Sequence, residues 1–342
     1  MTQTVLLTGV TGYIGKHVAL ALLRAGYTVR GTLRELSRGA EVMQALRPHL
    51  DDAGDLDARL TFTALDLTRD EGWDAAMTGV DVLMHIASPF PMSSPKDPDA
   101  LIGPAVEGTR RALRAALRAG VARVVLTSSV AAISGAPLPA GETAYDETNW
   151  TDPDGPGVST YSRSKTLAEQ AAWDFVRQEA PEMKLTVVNP GFVLGAPLDA
   201  HYGTSVDVVK RLLKGRDPML PRLTFPVADV RDVAEVHAAA IDDPDTHGER
   251  IMVASQVLSF QDMARIVKRA YPDRRIPTRE APDALIRVLA LFDRAIADIV
   301  PNLGRRDRYE SRRAERVLGR ALHLGQSAVA GTAKFLVEDE GI

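Results

Sequence analysis

The sequence predicts an α/β fold, a doubly wound parallel sheet with a smaller mixed domain appended. Three observations carry that prediction. Short apolar runs alternate with segments of helical period through the first half of the chain. Those runs are apolar almost throughout, rather than at every second residue, as in strands covered on both faces. At 342 residues the chain is also long for one compact domain.

Residues 4–8 read as the first strand and 13–25 as the first helix, with Gly26 at its C-terminal stop. Strands follow at 28–33, 59–65 and 80–86, the last rich in β-branched and aliphatic residues. A helix is expected over 104–119 with Gly120 after it, then a strand at 121–127, a helix at 160–179 and a strand at 185–188. Loops rich in Pro, Gly, Ser and Asp lie at 51–57, 89–99, 135–157 and 215–226. The second and third follow strand ends, where ligands bind in open parallel sheets. Beyond Pro190 the alternation weakens, with one return to the sheet near 250–254. Segment 284–300 is apolar but holds Arg287, Asp293, Arg294 and Asp298, so it reads as an amphipathic helix packed on the protein rather than a membrane span.

Composition narrows the function classes. With 41 basic and 45 acidic residues the net charge is −4, which leaves no electrostatic footprint for nucleic acid or an anionic membrane. There is no cysteine, which excludes disulfides, thiolate metal sites and a cysteine nucleophile. The seven histidines show no pair at metal-ligand spacing, so no metal is expected. The N-terminus has no basic start, and its apolar run Val5-Leu6-Leu7 stops at Thr8-Gly9; a cytoplasmic protein is expected rather than a secreted one. A monomer and a homodimer are both compatible with the sequence.

Gly9, Gly12 and Gly15 stand directly after the first strand, at the opening of the first helix. Glycines there permit a tight turn, close approach of a pyrophosphate and close helix–strand packing, while the helix N-terminus supplies free N–H donors. This predicts a dinucleotide-binding, Rossmann-type half, with Thr8, Thr11, Tyr13 and Ile14 around the cofactor. An acidic residue at the end of the second strand favours NAD, an arginine NADP. That strand runs into Arg34, with Arg38 beyond it. NADP is therefore expected, Arg34 as the main 2′-phosphate contact; Glu35 keeps NAD open as the weaker alternative. Asp66, followed by Leu67, either accepts from the adenine amino group or is a plain surface-loop aspartate.

Tyr161 and Lys165 form a YxxxK pair whose i, i+4 spacing puts both on one helix face. A tyrosine is poorly matched to proton transfer at neutral pH, and a neighbouring ammonium lowers its pKa. Thr127, Ser128 and Ser129 end the fifth strand, where a serine hydroxyl can hold a carbonyl oxygen beside the tyrosine. Ser129 is the first choice and Ser128 its rival. The set points to carbonyl reduction with Tyr161 as general acid and Ser129 stabilising developing charge.

The order of glycine loop, strand-end serine, YxxxK helix and Asn189-Pro190-Gly191 resembles the extended short-chain dehydrogenase/reductases. More narrowly it resembles their dihydroflavonol reductase, cinnamoyl-CoA reductase and aldehyde/ketone reductase branch. The stretches that carry this are 7–15, 29–34, 85–89, 161–169, 189–195 and 229–234. The resemblance implies that Ile86, Ala87 and Ser88 pass along the cofactor, and that Pro190, Gly191, Phe192 and Val193 lie at the nicotinamide. It also implies substrate contacts at Pro89, Phe90 and Ile133. Plant dihydroflavonol reductases carry an asparagine a few residues after the serine; Ile133 stands at that place here, which argues for a small, largely apolar aldehyde or ketone. The expected division is 1–190, with 228–256 returning to it, for the cofactor, and 191–227 with 257–342 for the substrate. Two other readings compete: an NDP-sugar epimerase or dehydratase using the same Ser-Tyr-Lys set, and a non-catalytic dinucleotide-binding redox sensor.

Overall fold

The computed structural model describes residues 2–52, 54–88, 97–135, 137–138 and 140–342. Its strands are β1 (Thr4–Thr8), β2 (Thr28–Leu33), β3 (Leu60–Ala64), β4 (Val82–His85), β5 (Arg123–Thr127), β6 (Lys184–Pro190), β7 (Phe192–Leu194), β8 (Thr224–Asp229), β9 (Arg250–Val253) and β10 (Gln256–Ser259). Seven of them make one parallel sheet in the order β3-β2-β1-β4-β5-β6-β9. The order reverses between β1 and β4, and a crevice for a ligand opens at such a switch point.

The side-chain period of two explains the wholly apolar strands. Val5, Leu7, Val125 and Val188 face one core, which reaches into the smaller sheet. Leu6, Val124, Leu126 and Val187, their neighbours in sequence, face a second core on the other side. Both faces are dry at these positions, so successive residues there are apolar.

The smaller sheet runs β10-β8-β7, with β7 parallel and β10 antiparallel to β8. Its position follows from chain order: β7 continues from β6 after Gly191, and β8 leads straight into the helix Val230–Asp242, which packs on the first helix, Tyr13–Arg24.

Two expected elements differ. The helix expected over 104–119 spans Asp99–Arg118, with Pro104 inside it. The helix starts more than a turn before the proline, behind a local turn in which the Asp97 carboxylate accepts the N–H of Asp99 at 3.0 Å. The single helix expected over 284–300 is two, Asp283–Leu289 and Arg294–Ile299. Asp293 Oδ1 accepts from Ile296 N at 3.3 Å and opens a new helix there. Leu291 and Phe292 at the break are 79% and 85% exposed, so this segment is not packed along its length. Among the described residues, no helix is long and apolar enough to cross a membrane.

Candidate active site

A cleft of about 1420 Å³ opens outside the carboxyl ends of the strands, with Gly9, Tyr161 and Tyr309 among its lining residues. At its nucleotide end the surface is mostly backbone. Gly9 has φ +75°, and a Cβ on it would lie 3.0 Å from Ala87. A Cβ on Gly15 would lie 2.1 Å from the carbonyl oxygen of Gly9, so only glycine lets the helix start this close to the strand. Gly12 caps the first helix without a side-chain partner, and the first turn holds no acidic residue. Thr11, Tyr13, Ile14, Ile86, Ala87 and Ser88 line the same end.

Thr8, expected at the cofactor, is fully buried instead and does not reach the cleft. Its hydroxyl accepts N–H bonds from Ile86 and Ala87, both 3.1 Å, and its proton goes to His85 Nδ1 at 2.9 Å. Thr8 therefore holds the backbone that lines the cleft rather than lining it. Burial, with the charge of Lys165 second, pushes His85 down to about 4 and keeps the ring neutral, as an acceptor must be.

Arg34 and Arg38 reach the cleft from the end of β2, Asp66 and Leu67 from beyond β3. Arg38 is paired with Glu41 at 3.0 Å. The Asp66 carboxylate accepts from the backbone and hydroxyl of Thr68 at 2.9 and 2.8 Å, bonds that hold its pKa below the usual carboxylate range, with Arg34 and Arg69 assisting.

In the middle of the cleft, Ser159 caps the helix Thr160–Glu179 by accepting from Ser162 N at 3.0 Å. That cap fixes Tyr161 in the first turn, with Lys165 one turn on and its Nζ 5.9 Å from the tyrosine ring centroid. Thr127, Ser128 and Ser129 face them from the end of β5. Ser129 Oγ accepts from Ala131 N at 3.2 Å, which leaves its own proton to donate. Ser128 Oγ is buried with no partner among the described residues. Thr127 donates to His237 Nε2 at 2.7 Å, because His237 Nδ1 gives its proton to the Val233 carbonyl, also at 2.7 Å.

Pro190, Gly191, Phe192 and Val193 form the opposite wall, where the Phe192 and Phe225 rings lie 4.6 Å apart. Ile133, expected at the substrate, is 1% exposed and packs with Val130, Tyr145 and Met252. The one-turn helix Val130–Ala132 rotates the chain so that Ile133 faces the interior and Ser134 the cleft. Pro89 and Phe90 lie outside the described residues.

Residues 5–254 match the NAD dependent epimerase/dehydratase family. The chain belongs to that family. Within it, a cinnamoyl-CoA reductase of Petunia hybrida is 34% identical over 81% of this chain and 80% of its own length. A ketoreductase of Aspergillus niger is 32% identical over 86% of this chain and 90% of its own. Among solved structures, Gre2 of Candida albicans in complex with NADPH superposes with a TM-score of 0.79, at 27% identity over 98% of both chains. The extended short-chain reductase resemblance read in the sequence therefore holds.

One buried cluster that ties the site together was not read from the sequence. Glu169 lies one turn beyond Lys165, fully buried, and accepts from Arg250 Nε at 2.6 Å and Asn189 Nδ2 at 2.8 Å. Asn189 also donates to the Ser129 carbonyl at 3.2 Å. Arg250 donates to the carbonyls of Glu147 and Asn149 at 2.9 and 2.6 Å, with Trp150 stacked 3.8 Å from its guanidinium. The serine turn, the tyrosine helix and the end of β6 meet at one buried charge cluster. Its signal in the sequence was Glu169 at i+4 from Lys165, a helix position with no stated task.

Proposed function

We propose that the chain reduces an aldehyde or ketone on a small organic substrate to the alcohol with NADPH, reversibly, Tyr161 acting as general acid and base. The observation that carries this is the placement of Tyr161, Lys165 and Ser129 in the same cleft as the glycine loop. The kinship with a cinnamoyl-CoA reductase and a ketoreductase supports a carbonyl substrate, and the NADPH-bound Candida structure supports the cofactor.

The residues present fit NADP. The uncapped first turn of the helix Tyr13–Arg24 offers free N–H groups to a pyrophosphate, and the arginines after β2 offer a 2′-phosphate its planar donors. Asp66 would take the adenine amino group, while Ile86, Ala87 and Ser88 would follow the cofactor and Pro190 and Gly191 would cover the nicotinamide. When bound, the reduced nicotinamide supplies the hydride that adds to the carbonyl carbon. Tyr161 gives its hydroxyl proton to the carbonyl oxygen, with Lys165 one turn on and on the same helix face. Ser129 donates to the same oxygen and stabilises its developing charge. Phe192 and Phe225 exclude water from the reacting end. Residues 1–190 with 228–256 serve the cofactor, and 191–227 with 257–342 the substrate.

The test follows NADPH and NADH consumption with aldehydes, diketones, aryl ketones and one dihydroflavonol. Wild type consuming NADPH where Tyr161→Phe does not is the expected result. Saturable NADPH binding without turnover of any carbonyl would sink the reductase reading.

A further inference from the structure

The far end of the cleft does not match a wholly apolar substrate. Part of its wall is apolar, formed by Phe192, Phe225, Pro190 and Val158. Another part is formed by Arg305, Asp307 and Tyr309, on a strap that returns from the C-terminal part of the chain. Several bonds fix it in place. Tyr145 N donates to the Arg308 carbonyl at 2.8 Å and Glu310 N to the Tyr145 carbonyl at 2.9 Å. The Thr224 hydroxyl donates to the Arg305 carbonyl at 2.9 Å. Arg305 Nη2 donates to the Ser134 carbonyl at 3.1 Å, and Tyr309 OH to Ser134 Oγ at 3.1 Å. The rings of Tyr145 and Tyr309 stack, 5.6 Å apart.

The strap presents one ion pair to the cleft. Arg305 Nη2 stands 2.9 Å from Asp307 Oδ2, and the two side chains are 29% and 24% exposed. The pair is neutral as a whole; Arg305 Nη2 is shared among Asp307, the Ser134 carbonyl and the Tyr145 hydroxyl at 3.2 Å, so Nε and Nη1, the latter 3.5 Å from Asn302 Oδ1, are the donors left beside the Asp307 carboxylate. A carboxylate or phosphate would meet Asp307 next to the arginine, and an ammonium would meet Arg305 next to the aspartate. An alkyl group would strip water from both and return no hydrogen bond. A hydroxyl both gives and accepts, and it satisfies the two at once.

We infer that the substrate is a hydroxy-substituted aldehyde or ketone, its carbonyl at Tyr161 and its hydroxyl, at the far end, bound between Arg305 and Asp307. This rests on the reductase reading of the same cleft. Arg305 and Asp307 then act as specificity residues and take no part in proton transfer. A site built to hydrogen-bond a hydroxyl discriminates against the analogue lacking it, less strongly where the pair is partly in water.

The experiment compares kcat/KM, read as NADPH oxidation, for aldehydes of equal length ending in methyl, hydroxyl or carboxylate, across a range of chain lengths. At the best length the hydroxyl compound is expected to exceed the methyl one by roughly 10–100-fold. In Asp307→Ala, and in Asp307→Asn as the closer isostere, that ratio is expected to shrink to within about threefold. Equal kcat/KM for methyl and hydroxyl at every length overturns the inference while leaving the reductase reading intact. So does a preference for the carboxylate, or an unchanged ratio in folded Asp307 variants. No turnover of any of these aldehydes, nor of the diketones and aryl ketones of the first test, overturns both. The wild-type comparison decides the matter even if neither variant folds.

Discussion

At the nucleotide end of the cleft, the surface is built largely from backbone and the residues are consecutive. Gly9 to Gly15 form one turn, and Ile86 to Ser88 one strand end held by a single threonine hydroxyl. At the substrate end the surface is built from side chains drawn from distant parts of the chain: Ser134, Phe192, Phe225 and the Arg305–Tyr309 strap. A backbone-built site needs residues that permit a conformation, and those sit side by side. A side-chain-built site needs only that folding bring groups together, so its residues need no spacing rule. The first kind conserves the cofactor's geometry; the second leaves substrate choice free to vary on the same fold.

Removing the Tyr161 hydroxyl, between these two ends, should have the largest effect. Tyr161→Phe is expected to lower kcat by about 10²–10⁴ while NADPH still binds, since in the proposed mechanism only the proton donor is lost. Ser129→Ala should lower kcat more than Ser128→Ala, because Ser129 has a proton free to donate whereas Ser128 Oγ is enclosed. The reverse order would move the carbonyl to Ser128. Both are read in NADPH consumption under saturating substrate.

The cluster joining the ends comes next. Glu169→Gln leaves the Arg250 guanidinium buried without its charge partner, which is expected to cost about 3–5 kcal/mol in urea unfolding. If stability falls by far less, water or another carboxylate reaches Arg250, and the cluster does not fix the serine turn to the tyrosine helix.

The contrast also explains what could be read from the sequence. The glycine loop, Tyr161, Lys165 and the strands of the main sheet were legible because each is a local pattern: glycine spacing, an i, i+4 pair, an apolar run. Ile133 was misplaced because a single turn at Val130–Ala132 decides which of two neighbours faces the cleft, and counting positions from Ser129 does not register that turn. The segment around Phe292 was misread because periodicity showed an apolar stripe but not the cap at Asp293 that cuts it. The strap was silent: Arg305 and Asp307 look like any charged surface stretch until Tyr145 pairs with it.

A smaller effect is expected at the nucleotide end. Arg34→Ala should reduce kcat/KM for NADPH by roughly 10–100-fold, the loss of charge-assisted bonds to the 2′-phosphate, and leave NADH nearly unchanged. An equal loss with both cofactors would mean that Arg34 holds the adenine rather than the phosphate. Arg38, already paired with Glu41, should contribute less.

The nucleotide end and the serine turn are each backed by a threonine–histidine bond, and acid separates the two. Burial pushes both His85 and His237 from 6.5 down to about 4. Between those values the unfolded chain takes up protons that the folded one refuses. The stability these rings contribute is therefore complete above pH 6.5 and is lost as pH falls toward 4, about 2 kcal/mol per ring by pH 5. His85 differs in having Lys165 as a second cause, so its shift is tied to the helix Thr160–Glu179, whereas His237 owes its shift to burial, opposed only by its bond to Val233. Thermal unfolding against pH should thus show a shallower acid slope in His237→Asn than in wild type, and a shallower one in Lys165→Met through His85 alone. If Lys165→Met leaves the slope as it was, the ammonium lies too far from His85 to matter, and the two ends of the cleft titrate independently.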